Sequence, residues 1–228
     1  MTSLHTLLKQ KPWAAPKRRI RSRLFTISIH CGFQYGYYIL LSLLLFIATC
    51  EAYHHPIQFA IPANKVVKEI PKKDRDFAFI NPKDTSTYIY QSEEPYYKDY
   101  QRSYFGITCK KAGWDCMRHY EILANGCIPY FIDLDQCHPD TMAFLPKELI
   151  LEAMHLPGVS YKTLSIDHEQ FDHARYQEIV TALLEHTRRY LTTEKMAQYL
   201  LDTMNYSGRK PILFLSYDTS PDYLYCLS

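Results

Sequence analysis

The sequence predicts an α/β fold in which helices flank a Rossmann-like parallel sheet. Two apolar strand candidates, residues 104–108 and 128–132, enclose an amphipathic helix predicted at 114–125. Strand, helix and strand at this spacing make one βαβ unit, whose two strands run parallel. A third apolar run, 211–216, is typical of a buried parallel strand. With 228 residues, of which 47% are apolar and 22% charged, the chain is long enough to bury a core.

The first part of the chain is predicted to form a basic tail, 1–34, and an apolar helix, 35–53. The tail carries the basic run Lys17–Arg23, and no acidic residue precedes Glu51. Up to Cys50 the apolar segment holds no charge, as in a single-pass membrane anchor whose N-terminus stays in the cytosol. The alternative is a buried helix covered by other parts of a longer parent protein, and the chain would then be cytoplasmic.

Residues 54–100 are rich in proline and tyrosine and lead into the main domain. Residues 77–80 are a strand candidate, which the turn signal Asn81-Pro82 ends. Tyrosines crowd between Tyr88 and Tyr104. We expect them to pack a loop against the domain.

The main domain is predicted at 101–208. Behind the βαβ unit the sequence predicts helices at 147–155, 168–190 and 194–204 and a strand at 159–164. Thr193 is placed as an N-cap for the last helix, which ends near Gly208. Residues 209–228 are expected to begin a further strand–helix unit that is truncated.

The helix predicted at 114–125 carries the candidate binding residues. At 100° per residue its apolar side chains share one side, and Arg118, Glu121 and Asn125 are expected to form an exposed stripe on the other. The turn before it supplies Lys110 and Lys111 beside the positive end of the helix, a place suited to a diphosphate. An ordinary solvated ion pair between Arg118 and Glu121 is the alternative interpretation.

Four pieces of the sequence are joined in one motif: Ser103-Tyr104-Phe105-Gly106 as a strand, Gly113 in the turn, Arg118 and Glu121 on the helix, and Gly126-Cys127-Ile128-Pro129 leading into the next strand. Residues 103–131 thereby resemble the glycosyltransferase motif of the exostosin family. They also resemble, more loosely, the second Rossmann-like domain of GT-B glycosyltransferases.

The resemblance implies a nucleotide-sugar site between two Rossmann-like domains, from which the sugar passes to a glycan or glycoprotein acceptor. It places Glu121 on the nucleotide ribose, and Arg118 or the lysines Lys110 and Lys111 on the diphosphate. No cofactor is required, because the nucleotide-sugar is itself the substrate.

Two departures from the family pattern favour an alternative, a catalytically incomplete fragment or a membrane-attached, non-enzymatic domain. Many GT-B enzymes have a further glutamate eight residues before the ribose-binding one, and this chain has Gly113 there. The chain also has no complete counterpart of the other Rossmann-like domain. The catalytic residue is therefore open, with Asp115, Glu94 and Asp99 as candidates.

A lesser alternative is a metal-dependent GT-A transferase, because Asp133-Leu134-Asp135 follows an apolar strand. Such a D-x-D pair can hold Mn²⁺ or Mg²⁺ on a diphosphate, although a metal is not predicted here. His168 and His173 are interpreted as surface residues. The seven cysteines form no C-x-x-C pair and are expected to be mostly reduced thiols. The basic run lacks the context of a nucleic-acid site, so no nucleic-acid partner is predicted.

Overall fold

A computed structural model of the protein describes residues 55–209, of which residues 57–209 belong to one compact unit. Its centre is a parallel sheet of three strands in the order β1-β2-β3. The strands are β1 (Arg75–Phe77), β2 (Ser103–Thr108) and β3 (Ile128–Phe131). In register, Phe77 lies opposite Phe105, and Phe105 lies opposite Ile128. The prediction of an α/β fold with a parallel sheet flanked by helices is confirmed, and the three-stranded sheet is compatible with a Rossmann-like one.

Five α-helices accompany the sheet in the described part of the chain. They are α1 (Glu93–Arg102), α2 (Met117–Ala124), α3 (Lys147–Met154), α4 (His173–Tyr190) and α5 (Thr193–Thr203). A short antiparallel hairpin, β4 (Val159–Ser160) with β5 (Ser165–Ile166), precedes α4. None of the described helices is long and apolar enough to cross a membrane. The predicted basic tail, the apolar helix at 35–53 and the strand at 211–216 lie outside the described residues.

Helix α1 corrects the expectation of a tyrosine-rich loop. Ser92 is its N-cap in extended backbone, and Glu93 and Glu94 stand in the first turn, where acidic side chains favour the helix dipole. Tyr97 and Tyr100 are buried, three residues apart and so on one side of the helix. The tyrosines of α1 thus form a helical face, where a loop surface was predicted.

The other differences from prediction are shifts of element ends. The first strand is Arg75–Phe77 instead of 77–80, although Ala78 still donates its N–H to the Phe105 carbonyl at 2.8 Å. Helix α4 begins at His173 because the Asp172 side chain caps it, accepting the N–H of Arg175. The predicted strand at 159–164 is shortened to the two residues of β4. Thr192, instead of Thr193, is the N-cap of α5.

The core lies where the sheet meets α2, α3 and α4. Fully buried side chains from these elements include Phe105, Ile128, Phe131, Ile150 and Ile179, and each such side chain stabilises the fold by about 1.5–3 kcal/mol.

Two glycines set how α2 sits on the sheet. A Cβ at Gly106 would stand 3.0 Å from Ile122, so glycine lets the helix approach β2 closely. Gly126 has φ +63°, and its N–H donates to the Leu123 carbonyl at 3.0 Å. This is the glycine stop that the sequence predicts for the helix.

Candidate functional site

The turn between β2 and α2 lies at the carboxyl end of the sheet. Lys110 and Lys111 are exposed in this turn, and the Lys110 ammonium stands 5.1 Å from the centroid of the Trp114 ring. A Cβ at Gly113 would meet no atom within 4 Å, so the turn is open there. Cys116 is the N-cap of α2 and its side chain makes no capping hydrogen bond, and the positive end of the helix favours negative charge in this turn.

Arg118 and Lys111 converge on a single oxygen atom, the hydroxyl of Tyr88. The Arg118 Nη2 lies 2.8 Å from that oxygen and the Lys111 Nζ lies 3.3 Å from it. Both cations also face the Tyr88 ring, at 5.7 and 5.3 Å from its centroid. No ion pair within residues 55–209 involves either of them or Lys110. Two cations therefore share one neutral acceptor.

Glu121 is held by tyrosines of α1. The Tyr96 hydroxyl donates to Glu121 Oε2 at 3.0 Å, and the Tyr97 hydroxyl lies 3.4 Å from Oε1. Tyr100 in turn donates to the Tyr96 oxygen at 3.1 Å. Burial raises the pKa of Glu121, while the two phenol hydrogen bonds act to lower it. The helix side that carries Glu121 is thus covered by α1, and the expectation of a fully exposed stripe is wrong.

Asn125, the third member of that stripe, is completely buried. Its Oδ1 accepts from the Gln101 side chain at 2.9 Å, and its Nδ2 donates to the Glu121 carbonyl at 2.8 Å. Both ends of the amide are occupied inside the fold. Asn125 closes the end of α2 and joins it to α1, so it is not available to a ligand.

Two of the three candidate catalytic carboxylates anchor backbone. Asp99 is 4% exposed, pairs with Arg75 at 2.6 Å and accepts the N–H of Phe79 at 2.7 Å. Asp115 accepts the N–H of Phe59 and the Tyr120 hydroxyl, both at 2.8 Å.

Burial raises the pKa of Asp115, so this carboxyl group is partly desolvated as well as occupied. Glu94 differs from both, because it is exposed in the first turn of α1. Asp99 thus joins α1 to the backbone around β1, and Asp115 joins the backbone at Phe59 to the turn before α2.

The D-x-D pair is divided between two environments. Asp133 Oδ1 accepts the backbone N–H of Lys110 at 3.1 Å, whereas Asp135 is exposed in the short 3-10 helix Leu134–Gln136. Within the described residues, no group of three or more His, Cys, Asp or Glu side chains is arranged to hold a metal ion. Asp133 has a structural contact of its own, which ties the lysine-bearing turn to the end of β3.

His119 and Cys116 form a pair that could be mistaken for a nucleophile and its base, at 3.4 Å. His119 Nε2 donates to the Trp114 carbonyl at 2.8 Å, and Nδ1 lies 3.0 Å from the Thr108 hydroxyl. Burial lowers the pKa of His119 to about 4 and raises the pKa of Cys116. The imidazole is therefore neutral and fully engaged, and the thiol stays protonated. All four described cysteines are free thiols.

His168 and His173 are exposed, as predicted, yet they lie side by side with ring centroids 5.3 Å apart. Asp76 on β1 accepts from His168 Nε2 and from the Ile166 N–H, both at 2.8 Å. The spacing of five residues along a helix did not indicate this contact, because His168 precedes α4 and is not part of it.

The sequence did not reveal that Tyr88 contacts Arg118 or that Tyr96 and Tyr97 contact Glu121. The crowding of tyrosines before residue 104 was the available signal, and it indicated packing without identifying the partners. Comparisons of the chain with protein-family models, curated proteins and solved structures gave no match. The family resemblance of residues 103–131 stays a prediction, and the geometry of the site is the basis for the function proposed below.

Proposed function

We propose that this chain binds a nucleotide-sugar donor at the carboxyl end of β2, as an exostosin-like glycosyltransferase domain of GT-B type. The observation that supports the proposal best is the convergence of Arg118 and Lys111 on one oxygen atom, the Tyr88 hydroxyl. Neither cation has a carboxylate partner in the described fold, and both lie near the N-terminus of α2. Such cations suit the negatively charged oxygens of a diphosphate.

In this proposal the diphosphate replaces the phenol as the shared acceptor. Arg118 donates to phosphate oxygens through its planar guanidinium, and Lys111 acts as a mobile point charge. Lys110 lies in the same turn. The same positive charges would stabilise the nucleoside diphosphate as it leaves the sugar. The role given to a metal ion in GT-A enzymes is thus taken by cationic side chains.

Glu121 is assigned to the nucleotide ribose. A carboxylate offers about four lone-pair positions, and Tyr96 and Tyr97 use one on each oxygen. The remaining positions can accept two adjacent sugar hydroxyls. Arg118 and Glu121 are one helical turn apart on α2, which matches the succession of diphosphate and ribose in a nucleotide.

The transfer step would join the donor sugar to a glycan or glycoprotein hydroxyl. The acceptor oxygen bonds to the anomeric carbon, the bond to the diphosphate breaks, and the hydroxyl proton passes to a base. Glu94 is the one candidate base whose carboxylate is exposed and not tied to backbone in the described fold.

A second candidate function, donor binding without transfer, is favoured by the engagement of Asp99 and Asp115. Both carboxylates are fixed on backbone N–H groups, and Gly113 stands where many GT-B enzymes have a glutamate. The two candidates differ in one measurement, the release of free sugar or glycosylated acceptor from a bound donor. Binding without either product would favour the second.

Calorimetric titration of the full chain with ADP, GDP and UDP tests the shared part of both candidates. We expect binding by at least one nucleotide, weakened at least about tenfold, or 1.4 kcal/mol, by Arg118→Ala and by Glu121→Ala. Arg175→Ala is the matched control, because Arg175 pairs with Glu152 and Glu178 on other helical surfaces. Absence of binding at millimolar nucleotide, or an equal loss in the control, would overturn the proposal.

A further inference from the structure

The segment 81–89, which carries Tyr88, is closed on itself. The Asp84 N–H donates to the Asn81 carbonyl at 2.9 Å, and the Thr87 hydroxyl donates to the same carbonyl at 3.1 Å. The Asn81 N–H donates to Thr87 Oγ1 at 2.9 Å, and Asp84 accepts the N–H of Ser86 at 3.0 Å. These hydrogen bonds lie within the segment and make it a compact turn.

The hydrogen bonds that join this segment to the rest of the described fold are those of the Tyr88 hydroxyl with Arg118 and Lys111. Pro82 is buried at the start of the segment, so that end is anchored. At the other end Tyr88 is 42% exposed and Ile89 is 53% exposed. The segment is therefore a small preformed cap, anchored at one end and attached to the cations by a single side chain.

We propose that segment 81–89 is an autoinhibitory lid, whose Tyr88 hydroxyl occupies the phosphate position until an anionic ligand displaces it. The inference rests on the proposed function, since it concerns the same cations. It adds that the resting site is closed by the chain itself and that Tyr88 opposes binding.

The exchange is favourable in direction because the two acceptors differ in charge. A neutral phenol oxygen accepts from Arg118 and Lys111, whereas a phosphate oxygen carries negative charge and adds Coulomb attraction to the same two cations. Each ligand must nevertheless break the Tyr88 contacts first. The apparent affinity is then the intrinsic affinity multiplied by the fraction of molecules with an open lid.

Titration of the full chain with inorganic pyrophosphate tests the lid. Tyr88→Phe removes the hydroxyl and keeps the ring, and Tyr88→Ala removes both. If the lid is closed in nine molecules of ten, we expect both variants to bind pyrophosphate about tenfold more tightly than the unmodified chain. Tyr161→Phe, which removes the hydroxyl of a tyrosine stacked on Tyr130, should leave the affinity unchanged.

Amide hydrogen exchange gives a second measurement. Saturating pyrophosphate should speed exchange in segment 81–89 of the unmodified chain, because the ligand releases the Tyr88 attachment. Unchanged or slower exchange there would overturn the lid.

The outcomes separate the lid from the proposed function. Nucleotide binding that Tyr88→Phe leaves unchanged or weakens overturns the lid and keeps the binding site. Tighter pyrophosphate binding by Tyr88→Phe, with nucleotide affinity insensitive to Glu121→Ala, keeps the lid and overturns the nucleotide assignment. If the unmodified chain, Tyr88→Phe and Tyr88→Ala all fail to bind pyrophosphate, both the lid and the proposed diphosphate site are overturned.

Discussion

The polar side chains on the two sides of α2 differ in their burial and in their hydrogen-bond partners. On the side that meets the sheet, His119 is buried, donates to the Trp114 carbonyl and pairs with the Thr108 hydroxyl. On the other side, Arg118 and Glu121 are only partly buried, and their partners are phenol groups from segments that precede β2. The partners on the first side are a backbone carbonyl and a short side chain, and the partners on the second side are tyrosine hydroxyls.

The difference distinguishes a structural polar group from a candidate binding group. A buried group whose partners all lie inside the fold cannot exchange them without loss of stability. A partly exposed group held by a tyrosine can exchange that hydroxyl for another donor or acceptor at modest cost. By this criterion His119 and Asn125 are structural, and Arg118 and Glu121 remain available.

The largest expected effect is on the buried side. His119→Ala leaves the Trp114 carbonyl and the Thr108 hydroxyl without their partner and opens a cavity, so we expect a loss of about 2–4 kcal/mol in the free energy of unfolding. Arg118→Ala should cost less than about 1 kcal/mol, because its partner Tyr88 is accessible to water. Urea denaturation of the two variants measures both values, and equal losses would remove the distinction between the two sides.

Acid should destabilise the buried side in a defined window. The pKa of His119 is about 4 in the folded chain against an ordinary value of 6.5, so the unfolded chain binds the proton first as pH falls. This stabilising contribution is complete above pH 6.5 and is lost progressively toward pH 4. The loss is on the order of 3 kcal/mol for a pKa difference of this size.

The pH effect is measured as the difference in unfolding free energy between the unmodified chain and His119→Gln at several pH values. That difference should shrink by the stated amount between pH 6.5 and 4. His138→Gln is the matched control, because the His138 side chain is 58% exposed, and removing it should change the free energy of unfolding by less than about 0.5 kcal/mol. A pH-independent difference for His119→Gln would show that the imidazole is not buried in its neutral form.

The fold was predictable where one local pattern was sufficient. The β2–α2–β3 unit follows from two apolar runs, a helical period and the Gly126 stop, all within 30 residues. Helix α1 was not predicted, because its buried face consists of tyrosines, whose hydroxyl groups hide the apolar pattern of a helix. Ser92, Glu93 and Glu94 nevertheless mark its start, and Tyr97 and Tyr100 form its buried face.

Only the part of the site that lies on α2 could be predicted from the sequence. Helical spacing brought Arg118 and Glu121 together, as the sequence indicated. What covers them depends on Tyr88 and Tyr96, which lie 30 and 25 residues earlier in the chain. No pattern within α2 encodes that contact. For the same reason Asn125 was expected on the surface, whereas its partner Gln101 buries it.

The smallest expected effect distinguishes the two tyrosines that hold Glu121. Tyr96 donates at 3.0 Å and also accepts from Tyr100, whereas Tyr97 stands at 3.4 Å. Tyr96→Phe removes a hydrogen bond to a carboxylate and leaves the Tyr100 hydroxyl without its acceptor, which should cost about 1–2 kcal/mol of unfolding free energy. Tyr97→Phe should cost roughly half as much, because its bond to the carboxylate is longer.

Tyr96→Phe and Tyr97→Phe also test nucleotide binding, because both substitutions change the pKa of Glu121. Burial raises this pKa and the tyrosine hydrogen bonds lower it, so Tyr96→Phe should raise it further. Ribose hydroxyls donate to the ionised carboxylate, and nucleotide affinity should therefore fall as pH drops through the pKa of Glu121. The midpoint of that fall should lie at higher pH in Tyr96→Phe than in the unmodified chain, with Tyr97→Phe between them. A nucleotide affinity with the same pH profile in all three proteins would mean that Glu121 only joins α1 to α2, because a purely structural carboxylate has no ribose to release when it takes up a proton.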